Sequence, residues 1–202
     1  MDPKRDDVVL GPGDALVVAD LQNDFLPGGA LGVLGGDEVV PIVNDYLRRF
    51  SGRGLPVYVT RDWHPPGHCS FRSEGGPWPT HCIAGTPGAA FSPDLVLPAG
   101  TTVISKATDA RREAYSAFSG TDLDAHLRRT GTRRVFVGGL ATDYCVLNTV
   151  EDALALGYST VLLLDAIRAV DVEPGDGDAA IAQMLSRGAS TARLDTLQVA
   201  NA

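Results

Sequence analysis

The stretch "GGLATDYCVLNTVEDALALGY", residues 138–158, joins a strand-like sequence to a helix-like one. The run "RRVFVGGLA" (133–141) is short and apolar, whereas the apolar residues at 146, 150, 153 and 154 recur at helical spacing. Cys145, one of three cysteines in the chain, stands at the junction. The pattern predicts a buried strand followed by a helix that carries Cys145 in its first turn.

Similar runs recur along the chain and predict the fold class. Further strand-like runs lie at 15–22, 55–62, 101–106, 159–166 and, more weakly, 190–196. Helical patterns lie at 37–51, 121–130, 143–156 and 178–187. Near-continuous apolar strands alternating with helices are typical of a parallel sheet that is covered on both faces. We therefore predict an α/β, doubly wound, mainly parallel six-stranded sheet with helices on both faces.

Length and composition exclude several classes of protein. The 202 residues fit one domain, 1–202, and the net charge of -8 argues against a nucleic-acid partner. No apolar run is long enough to cross a membrane, and the N-terminal "MDPKRDDVVLGPGD" lacks an apolar signal core. An odd number of cysteines fits a reducing compartment. We expect a cytoplasmic protein that acts on a small molecule, and a homo-oligomer remains open.

Chemically active side chains follow the ends of four predicted strands. Asp20 ends the first strand, Asp62 and His64 follow the second, Lys106 ends the third, and Cys145 opens the helix after the fourth. Ligands of doubly wound sheets bind beyond the carboxyl ends of the strands. We therefore expect these residues to meet in one cleft.

Cys145 is a candidate nucleophile. A helix N-terminus favours a thiolate over a thiol, and Thr142 or Asp143 is placed to cap this helix. Backbone N–H groups there also suit an oxyanion. The alternative is that Cys145 is a small buried apolar residue.

Asp20 and Lys106 favour the catalytic interpretation. A carboxylate at the end of a buried strand needs a partner or water, although Asp20 also suits a turn. Lys106 is one of two lysines in a chain that otherwise uses arginine, although an exposed strand end would also accept it. Asp20 would accept the thiol proton of Cys145, with Lys106 orienting the carboxylate.

Residues 63–100 interrupt the alternation and contain three of the four histidines. Asp62 and His64 form a D-x-H pair, and His68 and His81 follow. Two imidazoles and a carboxylate suit zinc, iron or manganese. The alternative is a histidine-containing loop without a metal.

Two aromatic residues flank the predicted cleft. Phe25 and Trp78 have the flat rings that would contact an aromatic ligand. Both also suit simple anchoring of a loop, and the sequence leaves this choice open.

Three motifs resemble those of the isochorismatase-like cysteine hydrolases. They are "VVADLQNDFLPGGAL" (17–31), "SKATDARREAYSAF" (105–118) and the 138–158 stretch, and the resemblance covers most of the chain. A fourth pattern, "RDWHPPGHCSF" (61–71) with "WPTHC" (78–82), resembles the nicotinamidase group of that superfamily.

The resemblance implies a role for each matching residue. It implies Asp20, Lys106 and Cys145 as the catalytic residues. It implies Asp62, His64 and His81 as ligands of a divalent metal, with zinc ahead of iron or manganese. His68 matches a histidine that binds metal in only some members, so it stays outside this set.

The resemblance also implies an oxyanion hole and substrate walls. The N–H groups of Ala141 and Cys145 would form the oxyanion hole, with a cis peptide bond between Leu140 and Ala141. The implied substrate-binding residues are Phe25, Trp78, Tyr115 and Tyr144.

The implied activity is hydrolysis of nicotinamide to nicotinate and ammonia in NAD salvage. It would use a cysteine thioester, and the metal would orient the pyridine ring. Two alternatives remain at this point: a related amidase acting on another small amide, and a catalytically silent binding module.

Overall fold

The computed structural model describes residues 7–199, so both ends of the predicted 1–202 domain lie outside the described residues. The strands are β1 (Val8–Leu10), β2 (Asp14–Ala19), β3 (Val57–Asp62), β4 (Thr102–Lys106), β5 (Arg134–Leu140), β6 (Ser159–Arg168), β7 (Ser190–Ala192) and β8 (Leu197–Val199). The α-helices are α1 (Val39–Ser51), α2 (Leu123–Arg129), α3 (Leu147–Ala155) and α4 (Asp176–Ser186).

The central sheet has six strands in the order β4-β3-β2-β5-β6-β7. All of its pairings are parallel, and β2 pairs with β3 on one side and β5 on the other. The chain therefore builds the sheet outward from β2 in one direction and from β5 in the other. The predicted doubly wound sheet is confirmed, and it is wholly parallel.

Each face of the sheet is covered by helices, because successive side chains of a strand point to opposite faces. In β2, Leu16 and Val18 pack with the buried face of α1, whereas Ala15, Val17 and Ala19 pack with residues of α2, α3 and α4. Every β2 side chain is buried, which explains the continuous apolar run at 15–19 that follows Asp14.

The sequence analysis missed one small sheet. Strands β1 and β8 pair in parallel, with Val8 opposite Leu197 and Leu10 opposite Val199. Three-residue strands are too short to show a hydrophobic period, and these two come from opposite ends of the described chain. The remaining strand and helix predictions are confirmed to within a few residues.

Residues 63–100 are ordered by isolated backbone bridges rather than by long elements. His64 pairs with Ile83, Phe71 with Trp78, and Phe91 with Gln22. The segment thus lies across the carboxyl ends of the strands. Within residues 7–199, none of the helices has the length and apolar character needed to span a bilayer.

Candidate active site

The strand order places a crevice between β2 and β5, where the chain direction across the sheet reverses. Asp20 directly follows β2, and Cys145 lies five residues beyond the end of β5. Asp62 and Lys106 are the last residues of β3 and β4 and pair in register. The four predicted residues therefore come from four segments that end at the same edge of the sheet.

Lys106 is the centre of this arrangement. Its Nζ lies 3.0 Å from Asp20 Oδ2 and 3.4 Å from Cys145 Sγ. It also donates hydrogen bonds to Asp62 Oδ1 and, over 3.2 Å, to the carbonyl oxygen of Ala114. The side chain is 1% exposed, so these contacts replace the water that a buried ammonium loses.

The charges of Lys106 and Asp62 stabilise each other. Burial alone would lower the pKa of Lys106, but Asp20, Asp62 and Cys145 outweigh it and raise the pKa well above the usual value. Burial alone would raise the pKa of Asp62, but Lys106 and His64 outweigh it and lower the pKa. Their contact thus favours the charged form of both Lys106 and Asp62.

Asp20 has a different environment. It adopts a positive φ of 48°, and its Oδ1 accepts a hydrogen bond of 2.6 Å from Thr60 Oγ1. Complete burial raises the pKa of Asp20, against the opposing effect of Lys106. A carboxylate oxygen of Asp20, one of Asp62 and the sulfur of Cys145 all lie within 4.8 Å of one another. Asp20 is thus the more basic of the two carboxylates and lies close to the sulfur.

Cys145 lies in a π-helical turn, Thr142–Val146, that precedes α3. Burial raises the pKa of the Cys145 thiol well above its usual value, and this exceeds the lowering effect of Lys106. Burial therefore favours the thiol over the thiolate that was predicted from the helix N-terminus. Neither predicted cap residue, Thr142 or Asp143, caps this turn: its N-cap residue is Ala141, without a side-chain cap hydrogen bond, and the Asp143 carboxylate instead accepts hydrogen bonds from the N–H groups of Val170 and Asp171.

The chain reaches Cys145 through a close approach of β5 to β2. The Leu140–Ala141 peptide bond is cis, as the resemblance implied. Gly139 has a φ of +108°, and a Cβ there would overlap the carbonyl oxygen of Ala19. Only glycine fits at this position, which explains one glycine of the "GGLAT" sequence.

Asp62, His64 and His81 offer a set of metal-binding atoms that lie within 4.8 Å of one another. His64 Nδ1 lies 3.3 Å from the carbonyl of Ala107, and His81 Nδ1 lies 2.8 Å from that of Pro79. These contacts leave the two Nε2 atoms for a ligand.

The chemistry of these three residues fits a divalent metal. Among the described residues, the buried His64 Nε2 has no hydrogen-bond partner, and it lies 3.5 Å from Asp62 Oδ2. Burial lowers the pKa of His81 and so favours the neutral imidazole that binds metals. An unpaired buried nitrogen beside a carboxylate and a second imidazole suits zinc.

His68 is excluded from this set by its hydrogen bonds. Its Nδ1 lies 2.8 Å from Ser70 Oγ and its Nε2 lies 3.1 Å from the carbonyl of Arg112. Its ring contacts that of His64 at 4.2 Å between centroids. His68 therefore supports the histidine cluster by packing, with both nitrogens already engaged.

A small pocket opens over these groups. Its lining residues are Phe25, Leu31, Asp62, Trp78, His81, Tyr115, Ala141, Tyr144, Cys145 and Val170. The predicted wall residues all contribute, together with both residues of the predicted oxyanion hole. A larger cavity at the opposite end of the strands, lined by Tyr58, Thr102 and His126, contains none of them.

Comparison with models of protein families shows which family this chain belongs to. The isochorismatase domain model matches residues 14–196, which is most of the chain. The chain belongs to the isochorismatase family. The predicted superfamily is confirmed, and an amidohydrolase is the enzyme class that this family and its curated nicotinamidase relatives indicate.

This isochorismatase-family chain is similar to several characterised proteins. It is 38% identical over 200 residues to the nicotinamidase of Escherichia coli (strain K12), covering 89% of this chain and 94% of the relative. The structure of Pyrococcus horikoshii pyrazinamidase in complex with zinc matches with a TM-score of 0.87 at 48% identity, over 91% of this chain and 100% of that chain. PnC1 from L. infantum in complex with nicotinate matches with a TM-score of 0.87 at 36% identity, over 96% and 99%.

The aromatic walls of the isochorismatase-family cavity support one another. Trp78 Nε1 donates a hydrogen bond of 2.9 Å to Tyr115 Oη. Tyr144 packs edge-on against Trp78 at 5.0 Å and contacts the ring of Tyr115 at 5.5 Å. Burial raises the pKa of Tyr115 to about 12, so its hydroxyl stays protonated at neutral pH. These contacts fix the orientation of the indole.

Two residues that support the site, Phe71 and Thr60, were not identified from the sequence. Phe71 packs edge-on against the rings of His64, His68 and His81, at 5.5 to 5.8 Å. Thr60 supports Asp20. A lone phenylalanine in a loop and a threonine within a strand carry no sequence pattern that distinguishes them from ordinary packing residues.

Proposed function

We propose that the protein is a nicotinamidase that hydrolyses nicotinamide to nicotinate and ammonia. The observation that carries the proposal is the position of Lys106 Nζ. It contacts Asp20, Asp62 and Cys145 together, beneath a cavity with aromatic walls and beside Asp62, His64 and His81. The curated relatives named nicotinamidase support this substrate class. The nicotinate formed would enter NAD salvage.

In the proposed mechanism, Asp20 is the base and Cys145 the nucleophile. A thiol with a raised pKa needs a base, and the raised pKa of Asp20 makes it a better proton acceptor than an exposed carboxylate. Asp20 takes the thiol proton as sulfur attacks the amide carbon. Lys106 holds Asp20 and offers a positive charge 3.4 Å from the developing thiolate.

The tetrahedral intermediate collapses by losing ammonia. We propose that the N–H groups of Ala141 and Cys145 bind its oxyanion. Asp20 returns its proton to the leaving nitrogen, which leaves a thioester on Cys145. Asp20 then accepts a proton from water as the resulting hydroxide attacks the thioester, and it returns this proton to the departing sulfur of Cys145. The free thiol is thereby regenerated, and the nicotinic acid released loses its own proton to solvent and becomes nicotinate.

Asp62, His64 and His81 would hold the divalent metal, for which zinc is the first candidate. The zinc complex of the Pyrococcus horikoshii pyrazinamidase supports that choice. When bound, the ion would supply a coordination point that orients the pyridine ring. Phe25, Trp78, Tyr115 and Tyr144 would contact the ring and exclude water.

Ammonia release from a panel of amides tests the proposal. The purified protein, reconstituted with zinc, is expected to turn over nicotinamide and pyrazinamide in preference to benzamide, which lacks the ring nitrogen. A protein that released no ammonia from nicotinamide with zinc, iron or manganese would refute the proposed function. Equal rates with benzamide would refute recognition of the ring nitrogen.

A further inference from the structure

The turn formed by residues 22–24, "QND", follows the proposed base Asp20 and precedes the wall residue Phe25. The mechanism above uses neither Gln22 nor Asp24. Gln22 is fully buried, and a buried amide needs several hydrogen bonds to offset the loss of water. Its partners therefore indicate what the residue does.

The side-chain amide of Gln22 forms hydrogen bonds with both the N–H and the carbonyl group of Asp62. Its Oε1 accepts a hydrogen bond of 2.7 Å from the Asp62 N–H, and its Nε2 donates one of 2.7 Å to the Asp62 carbonyl. Nε2 also donates to the carbonyl of Ala89 over 2.9 Å. The side chain thus continues the pairing of β3 beyond the end of β2 and fixes the peptide groups around Asp62.

Asp24 performs the same task for the segment that carries His81. Its Oδ2 accepts a hydrogen bond of 2.7 Å from the N–H of Cys82, the residue after His81. Asp24 packs so closely on Gly88 that any Cβ there would overlap the carboxylate. The carboxylate therefore packs against the same loop that it holds.

The two contacts connect ligand-bearing segments that are remote in sequence. Asp62 ends a strand, whereas His81 lies in a loop without long elements. Two backbone hydrogen bonds join the same two segments, from the His64 N–H to the carbonyl of Cys82 over 3.0 Å and from the Ala84 N–H to the carbonyl of His64 over 2.8 Å. A metal ligand set needs such outer support, because the ion binds tightly only when its ligands are already in place.

We propose that Gln22 and Asp24 are positioning residues that hold Asp62 and His81 in the arrangement a divalent metal requires. The inference rests on the proposed metal site and extends it to residues that touch neither metal nor substrate. It predicts that changing either side chain weakens metal binding while the fold is retained.

The test measures the dissociation constant for Zn²⁺ on the metal-stripped full-length protein, by competition with a chromogenic chelator. Gln22→Met and Asp24→Ala are each expected to raise this constant about 10- to 100-fold. Asp24→Asn keeps an oxygen that accepts the Cys82 N–H, so it is expected to restore binding.

Asn23→Ala is the matched control, since Asn23 lies in the same turn and donates to the carbonyl of Pro87. It is expected to leave the Zn²⁺ constant within about twofold of wild type. Saturating Zn²⁺ is expected to recover activity in Gln22→Met and Asp24→Ala, which a general folding defect would not allow. If Gln22→Met does not fold, the two Asp24 variants decide the question.

Wild-type Zn²⁺ affinity in both Gln22→Met and Asp24→Ala would overturn the inference and leave the proposed function standing. So would activity that saturating Zn²⁺ fails to restore in the folded variants. In contrast, weakened Zn²⁺ binding in both variants, with no nicotinamide hydrolysis by the wild type, would support the inference and refute the proposed function.

Discussion

Lys106 Nζ lies 3.4 Å from Cys145 Sγ, although 39 positions separate the two residues in the chain. The same nitrogen contacts the carboxylates of Asp20 and Asp62. One buried cation thus connects the proposed nucleophile, the proposed base and a proposed metal ligand. Substitutions at Lys106 should therefore affect both the rate of amide hydrolysis and the binding of the metal.

Lys106→Arg is expected to reduce kcat about 100-fold or more, although it keeps the positive charge. A planar guanidinium cannot occupy the place of a compact ammonium that has four partners in a buried site. Ammonia release measures the effect. Arg111→Lys, at an exposed position, is the control, and a near-normal rate for Lys106→Arg would show that charge alone suffices.

Cys145→Ala is expected to abolish hydrolysis while the fold is retained, because removing one sulfur atom leaves the surrounding packing nearly unchanged. Circular dichroism checks the fold, and ammonia release checks activity. Cys69→Ala removes a free cysteine that does not line the cavity and should keep wild-type turnover. Substantial turnover by Cys145→Ala would exclude this sulfur as the nucleophile.

The raised pKa of Cys145 predicts the pH dependence of its alkylation. A raised pKa means that the thiol form persists to higher pH, and iodoacetamide reacts with the thiolate. The labelling rate of Cys145, followed by peptide mass spectrometry, should rise steadily from pH 6 to pH 9. A rate that is already constant below pH 7 would instead indicate a stabilised thiolate.

Tyr115→Phe should raise KM for nicotinamide about fivefold with little change in kcat, since a lost hydrogen bond costs about 1 kcal/mol. The variant removes the acceptor of the Trp78 indole N–H but keeps the ring. Steady-state kinetics separate the two constants. Tyr58→Phe is the control, because Tyr58 lies at the far end of β3, away from this cavity. An unchanged KM in Tyr115→Phe would show that Trp78 needs no such support.

Removing the metal should abolish nicotinamide turnover and lower the melting temperature, since a ligand that binds only the folded state stabilises it. Both effects should reverse when zinc is restored. His68→Asn should lower zinc affinity far less than His64→Asn, because both ring nitrogens of His68 already have partners and only its packing against the His64 ring is lost. His64→Asn should lose zinc affinity. Equal zinc affinity in the two variants would contradict the assignment of His64.

The sequence alone was sufficient to predict the six-stranded sheet and the helices. It was also sufficient to predict which side chains meet at the candidate site. Hydrophobic periods are local, so strands such as β2 and β5 and helices such as α1 can be recognised within a few residues. Asp20, Lys106 and Cys145 stand at strand ends, and parallel strands bring such ends together. The motifs around them added the grouping of Asp62, His64 and His81.

Only the tertiary structure decided how these groups affect one another. The thiol state of Cys145 depends on burial, which outweighs the helix terminus that the sequence suggested. The exclusion of His68, the Trp78–Tyr115 hydrogen bond and the β1–β8 pair all depend on contacts between remote segments. Desolvation and distance are properties of the packed chain, and no local pattern of residues encodes them.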